Sequence, residues 1–129
     1  MSLAAPADLA RAFAAVWAAR DAEALAALFA EDGDFISLTG GAAEGRAAIA
    51  ELVASEFAGA FARARLVTGR IRVRPLGPHA AVVLQRFVLS GLVHADGTDA
   101  GRIGAVLAAT LAATPQGWLV VAAQFVPEA

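Results

Sequence analysis

The first part of the chain carries the hydrophobic pattern of helices. Pro6-Ala7-Asp8 suits a first helical turn, because proline fits there and an acid stabilises the positive end of the helix dipole. Asp21 can serve as the N-cap of a second, shorter helix, which we expect to end near Asp32-Gly33. Along the first helix, apolar residues recur every three or four positions: Leu9, Phe13, Val16 and Trp17.

The next stretch predicts a short strand, a turn and a third helix. The strand is Asp34–Leu38, the turn is Thr39-Gly40-Gly41, and the third helix follows Glu44-Gly45-Arg46. Its apolar stripe consists of Ile49, Leu52, Val53, Phe57 and Phe61.

After Ala64 the hydrophobic period changes from helical to two, which is typical of half-buried strands. Val67, Ile71 and Val73 alternate with polar residues, so we expect them on one face. Long strands follow, separated by short turns that favour antiparallel pairing: Ala80–His94, Arg102–Ala113 and Trp118–Val126. Helices followed by such a sheet predict a single α+β domain over residues 1–129.

Both faces of the last three strands are apolar. Val82 and Val88 lie on one side of their strand, and Val83 and Phe87 lie on the other. A solvated face would alternate with polar residues. We therefore expect the second face to be buried in a homodimer whose sheets pack together.

Composition narrows the classes of function. The net charge of −2 gives the protein no overall electrostatic attraction for nucleic acid or for an anionic membrane. The absence of cysteine excludes thiolate catalysis and cysteine metal sites. No apolar run reaches the roughly 20 residues of a membrane helix, and the N-terminus lacks a signal-peptide pattern, so we expect a cytoplasmic protein.

Four segments carry a resemblance to a known superfamily. They are WAARDAEALAALF (17–29), FAEDGDFIS (29–37), EGRAAI (44–49) and GWLVVAAQ (117–124). They resemble the nuclear transport factor two-like superfamily, and most of all its SgcJ/EcaC and SnoaL-like groups. The resemblance implies three helices packed in the concave face of a curved, mainly antiparallel sheet, with an apolar pocket between them. Members of the superfamily include ketosteroid isomerases, polyketide cyclases, epoxide hydrolases, dehydratases and oligomerisation domains, so the fold does not determine the function.

The resemblance also argues against one chemistry. Phe13 stands where ketosteroid isomerases keep a hydrogen-bond-donating tyrosine, and Ser37 stands where they keep the proton-transferring aspartate. Phenylalanine donates no hydrogen bond and serine is no base near neutral pH, so isomerisation by that mechanism is disfavoured. The same comparison directs Val121, Ala123 and Phe125 towards the pocket.

Arg86 is the candidate with the most specific chemistry. It lies inside the most apolar strand, where an unpaired arginine is rare, and the resemblance gives it pocket-facing parity. It could bind a carboxylate, enolate or phosphate of a ligand as a forked donor. Alternatively, it reaches solvent or pairs with an internal acid such as Glu51 or Glu56.

The other polar candidates have simpler interpretations. Asp32 and Asp34 are more typical of helix termination and turns than of an acid/base centre. His79 and His94 have no partner at metal-ligand spacing, so we expect no metal and no cofactor. Arg70, Arg72 and Arg74 lack the interleaved aromatics of a nucleic-acid site.

These observations predict a protein that binds a small hydrophobic molecule. It is either an enzyme of isomerase, cyclase or hydrolase type or a carrier, and the alternative is a non-catalytic dimerisation or assembly domain. The expected pocket residues are Phe13, Trp17, Ser37, Leu52, Arg86 and Phe125.

Overall fold

The computed structural model describes residues 3–128. After a short 3-10 turn, Pro6–Asp8, the helices are α1 Leu9–Ala18, α2 Ala22–Ala26 and α3 Arg46–Ala58. The strands are β1 Phe29–Ile36, β2 Ala42–Glu44, β3 Arg65–Pro75, β4 Ala80–Val93, β5 Asp99–Thr114 and β6 Gly117–Pro127.

The six strands form one curved sheet in the order β2-β1-β6-β5-β4-β3. The predicted antiparallel meander is confirmed for β3 to β6. β1 lies parallel to β6, which makes the sheet mixed. The α+β class is therefore confirmed. None of the helices in the described part of the chain is long and apolar enough to cross a membrane.

The sheet has two distinct faces. On β4, Val83 and Phe87 are buried on the face that the helices cover, which we call the inner face. Val82, Leu84 and Val88 lie on the opposite, outer face and are half-buried or exposed. Burial thus alternates with a period of two along β4, although apolar residues lie on both faces.

Several predicted boundaries are wrong. The second helix ends at Ala26 instead of near Asp32-Gly33, and β1 already starts at Phe29. Leu28 and Phe29 look like part of a helical stripe, but Phe29 pairs with Val120 of β6 in the sheet. The pattern also missed β2, which has three residues, and it placed the start of β5 three residues late.

Two β-bulges change which residues face inwards, because an extra residue shifts every later side chain to the other face. A register shift between Thr68 and Ile71 turns Val67 outwards, whereas Ile71 and Val73 have inner-face partners. The expectation that these three share a face is wrong. In β6 the shift leaves Val121 unpaired, so Val120 is buried in its place.

Candidate functional site

An aromatic cluster fills the interior between the helices and the inner face. Phe13 and Trp17 of α1 meet Phe125 of β6, with ring centroids 5.8 Å and 6.3 Å from the Phe125 ring. The structure thus brings together three residues predicted for the pocket. Further rings pack around them at centroid distances of 5.2 to 6.3 Å: Phe35, Phe57, Phe61 and Phe87.

A polar cluster lies beside these rings. The hydroxyl of Ser37 donates to Glu56 Oε2 over 2.7 Å, and the hydroxyl of Thr39 donates to the same oxygen over 2.6 Å. Ser37 and Glu56 are only 3% and 7% exposed. Because each hydroxyl has a single hydrogen, both hydrogens are used when both groups donate to Glu56. We call Ser37, Thr39 and Glu56 the Glu56 cluster.

Two local features position this cluster. Glu56 lies on the buried side of α3, seven residues after buried Ile49, and therefore about two helical turns further along the same face. Ser37 directly follows β1 and points inwards two residues after buried Phe35. A tight turn then closes, in which the Ser37 amide donates to the Gly41 carbonyl over 2.8 Å and brings Thr39 over the carboxylate.

Leu52, another predicted pocket residue, lies at this turn. A Cβ atom on Gly41 would lie 2.7 Å from Leu52 Cδ1 and 3.3 Å from Ser37 Oγ. A side chain at position 41 would therefore displace the tip of the Leu52 side chain. Leu52 and Leu38 are half-buried here, so the Glu56 cluster lies near the surface end of the core.

The carboxylate keeps one oxygen available. Glu56 Oε1 accepts no hydrogen bond from residues 3–128. It is also not a sealed atom, since the one buried side-chain N or O atom without a partner in that range is Gln85 Oε1. No cation pairs with Glu56, because the one ion pair among these residues joins Arg86 and Glu128. The cluster is therefore a hydrogen-bond acceptor site.

Arg86 does not belong to the site. It lies on the outer face, its side chain is 48% exposed, and its Nε is 3.4 Å from Glu128 Oε1. The expectation that it faces the pocket is wrong, as is its suggested pairing with Glu56. The parity of β4 sends residue 85 inwards, and this residue is Gln85.

Gln85 is a second polar group on the inner face. Its Nε2 donates to the carbonyls of Gly69, Arg70 and Arg86, which fixes the bulge in β3. Its Oε1 faces the protein interior without a partner. Gln85, Leu107 and Phe125 are cross-strand neighbours, and Ser37 follows the residue that pairs with Gln124. Gln85 and Ser37, whose hydroxyl donates to Glu56, thus stand at opposite ends of one row, three strands and about 14 Å apart.

The other candidates take structural positions. Asp21 caps α2 by accepting from the Ala24 amide over 3.0 Å, as predicted. Asp34 points outwards opposite Glu44, and both histidines are exposed. Within residues 3–128 no three His, Asp or Glu side chains are grouped so as to hold a metal ion.

Sizeable depressions lie on the surface. One of about 580 Å³ lies between the start of α2 and α3 at Asp21 and Glu51. Another of about 560 Å³ lies between α1 and the start of β3, where Arg20 and Trp17 line it. Neither depression is lined by Ser37, Thr39 or Glu56.

Comparison with models of protein families shows to which family the chain belongs. The family model described as a SnoaL-like domain matches residues 10–109. The chain belongs to the SnoaL-like family. The predicted nuclear transport factor two-like superfamily is thereby confirmed, while membership of the SgcJ/EcaC group stays a prediction.

Several solved structures share the fold of this SnoaL-like chain. An uncharacterised protein with a cystatin-like fold from Caulobacter vibrioides has a TM-score of 0.86 at 19% identity, with 95% of this chain and 87% of that chain covered. An NTF2-like protein from Novosphingobium aromaticivorans has a TM-score of 0.74 at 28% identity, covering 92% and 76%. A ketosteroid isomerase-like protein from Erwinia carotovora atroseptica has a TM-score of 0.75 at 20% identity, covering 95% and 93%. A search of curated proteins found no match.

Sequence reasoning missed Glu56 as a site residue in this SnoaL-like domain. The available signal was its position on the apolar stripe of α3, where a charged residue is unusual. Gln85 carries a similar signal, as a polar residue inside an apolar strand.

Proposed function

We propose that this SnoaL-like protein binds a small apolar molecule that carries a hydrogen-bond donor, such as a hydroxyl group. The observation that carries the proposal is the Glu56 carboxylate, with Oε2 held by two hydroxyls and Oε1 unsealed and without a hydrogen-bond partner among residues 3–128. A ligand donor can therefore take the place of water at Oε1, and a hydrogen bond to a charged group contributes about 1.5–3 kcal/mol.

The chemistry of the available groups determines the kind of ligand. Ser37 and Thr39 already donate to Glu56, and Phe13 offers no donor at all. The remaining polar groups, Glu56 Oε1 and Gln85 Oε1, only accept. The site therefore favours an alcohol, a phenol or an enol over a ketone or an ether. The surrounding rings and Leu52 supply apolar contact.

The same carboxylate is the group that we assign to proton transfer if the bound molecule is also converted. A general base must lie within hydrogen-bond reach of the proton it takes, and a donor bound to Oε1 meets that condition. Such a step would be of the isomerase, cyclase or hydrolase type. Binding without turnover needs only the acceptor.

Phenol and anisole provide a matched pair of probes, since anisole is phenol with its donor hydrogen replaced by a methyl group. Titration calorimetry should give phenol about tenfold tighter binding, because a hydrogen bond to a charged acceptor contributes about 1.5–3 kcal/mol. Glu56→Gln places an amide N–H at the free position, so the preference should fall to about twofold or less. Glu51→Gln, an exposed site on the same helix, is the control. Equal binding of phenol and anisole to the wild-type protein would refute the proposal.

A second candidate function, association into a homodimer, rests on the outer face. Ile36 and Val126 are each 48% exposed there, and Val88 is 39% exposed. Exposed apolar patches of this kind mark protein interfaces. Light scattering should give twice the 13.0 kDa of one chain, and a mass of one chain at all concentrations would exclude the dimer.

A further inference from the structure

A guanidinium group is held at the junction of α1 and α2 with no acidic partner among residues 3–128. Arg20 donates from Nη1 to the Trp17 carbonyl over 2.8 Å. It also donates from Nη2 to the Ala64 carbonyl over 2.7 Å and from Nε to the Ala62 carbonyl over 3.3 Å. Its Cζ lies 5.7 Å from the centre of the Phe57 ring. These contacts order a long side chain, but carbonyl groups and a ring carry no charge that would neutralise it.

Arg20 retains donors that these contacts do not use. A guanidinium group has a single hydrogen on Nε and two hydrogens on each terminal nitrogen. The three bonds to carbonyls therefore leave one N–H on Nη1 and one on Nη2. Paired N–H groups of an arginine bind a carboxylate in a forked arrangement. Because the side chain is already ordered, little conformational freedom is lost when an anion binds.

The depression of about 560 Å³ between α1 and the start of β3 gives this guanidinium group space for a ligand. Two further cations, Arg63 and Arg65, line it together with Arg20, and the lining within the described chain includes no acid. None of the three forms an ion pair among residues 3–128. Small-molecule sites have volumes of about 300–1,000 Å³. The depression therefore combines room for a small molecule with positive charge that is not neutralised.

The rest of the lining favours an apolar body over a polar one. Ala14, Ala18 and Leu66 contribute aliphatic groups. The carbonyl of Ala64 is already used twice, since it accepts from Arg20 and, over 2.9 Å, from Nε1 of Trp17. A ligand thus finds donors for an anionic end and an aliphatic surface for its remainder.

We propose that this depression binds a small organic carboxylate with an apolar body. The carboxylate takes the two free N–H groups of Arg20, and Arg63 and Arg65 add electrostatic attraction. The apolar body lies against α1 and Leu66. This site differs in chemistry from the Glu56 cluster, because it donates hydrogen bonds to an anion and the Glu56 cluster accepts them.

The charges around Arg20 limit the size of the ligand. Arg20 also borders the depression of about 580 Å³, where the other charged residues are Asp21, Glu23 and Glu51. These acids repel a nucleic acid or an acidic protein segment that extends beyond Arg20. A small anion that stays within one depression avoids them.

The proposed site lies on the side of the sheet that the helices cover. Leu66 pairs with Leu89, which is buried on the inner face. Association of two copies through the outer face therefore leaves the depression open. Binding here requires neither that dimer nor the Glu56 cluster.

The probes 2-naphthoate and 2-naphthamide form a matched pair, since they share one ring system and differ in the charge of one group. Titration calorimetry should give naphthoate about tenfold tighter binding, because charge-assisted hydrogen bonds are about twice as strong as neutral ones. Arg63→Gln/Arg65→Gln should weaken naphthoate binding by about fivefold or more and change naphthamide binding by less than about twofold. The control Arg11→Gln/Arg102→Gln removes the same charge at two exposed positions outside the depression, and should change naphthoate binding by less than about twofold.

Arg20→Lys tests the forked contact, because lysine keeps the charge but lacks the paired N–H groups. Naphthoate binding should weaken by about tenfold, with circular dichroism to confirm the fold. If this variant fails to fold, the double variant at Arg63 and Arg65 decides alone. In NMR spectra of the wild-type protein, naphthoate should shift the Trp17 indole N–H and the Ala64 amide.

Several results would overturn the proposal. One is equal binding of naphthoate and naphthamide, and another is no binding of naphthoate. A third is an equal loss of naphthoate affinity in the Arg63/Arg65 double variant and in its control, which would indicate a general charge effect. Competition between phenol and naphthoate would also overturn it, because the Glu56 cluster would then be the naphthoate site. A failure of phenol to bind would refute the function proposed above and leave this site standing.

Discussion

Ser37 and Thr39 donate to the same oxygen of Glu56, yet we predict very different costs for removing them. The Thr39 bond is the shorter, 2.6 Å against 2.7 Å, so distance alone would make Thr39 the more important residue. Ser37 is 3% exposed, whereas Thr39 is exposed. Water can replace the Thr39 hydroxyl but cannot reach the position of Ser37.

We therefore expect Ser37→Ala to lower the free energy of unfolding by about 1.5–3 kcal/mol, the range for a hydrogen bond to a charged group. Thr39→Val should cost less than about 1 kcal/mol. For a domain of this size, a loss of 2 kcal/mol lowers the melting temperature by roughly 6–10 °C.

Urea denaturation followed by tryptophan fluorescence measures both costs, since Trp17 is buried in the core. Ser55→Ala, which removes an exposed hydroxyl from α3, is the control and should cost less than about 0.5 kcal/mol. A Thr39→Val cost equal to or above that of Ser37→Ala would refute the reasoning. It would mean that burial does not determine the strength of these bonds.

Two further predictions concern the core and the β4–β5 hairpin. Phe125→Ala should lower the free energy of unfolding by about 3–5 kcal/mol and leave a cavity among the neighbouring rings. Calorimetry should then detect benzene binding in this cavity. A smaller cost without benzene binding would show that the rings close over the gap. The pKa of Asp96 lies below its ordinary value because the Thr98 hydroxyl and amide donate to its carboxylate. Asp96 therefore stabilises the fold at pH values above its unfolded-state pKa. This stabilisation is lost as the pH falls through its folded-state pKa. Thr98→Val should raise the Asp96 pKa in an NMR titration, and an unchanged pKa would contradict the assignment.

The sequence predicts the class of this fold because its signals are local. The helical period of α1 reports its buried face directly, and the long apolar segments of β4 to β6, bounded by short turns, indicate strands. The connections between those strands are short, which leaves little choice of topology. Local patterns do not predict how the helices pack on the sheet. That arrangement was predicted from the resemblance, which includes the segment FAEDGDFIS.

The errors come from non-local contacts and from irregularities. Leu28 and Phe29 have the spacing of a helix, and their place in the core is decided by the parallel pairing of Phe29 with β6. Single-residue shifts in β3 and β6 reversed the faces expected for Val67 and Val121. Gly69 lies in the β3 shift, and glycine inside a strand often marks a bulge, but the β6 shift at Val121 has no such signal.

The sequence predicted the apolar residues of the candidate site and one polar residue, Ser37, but neither Thr39 nor Glu56. Phe13, Trp17 and Phe125 follow from hydrophobic pattern and resemblance, and they do meet. The predicted pocket-facing orientation of Arg86 was wrong because it rested on the resemblance alone. Glu56 could not be linked to Ser37 from the sequence, since 19 residues and the β1–β2 turn separate them.

The position of a bound phenol tests the central claim most directly. A crystal soaked with 4-bromophenol would locate the bromine by its anomalous signal and orient the ring. The acceptor site predicts the phenol oxygen within about 2.5–3.0 Å of Glu56 Oε1, with the ring against Leu52. A bromophenol that is bound only in the surface depressions, with Glu56 Oε1 facing water, would contradict it.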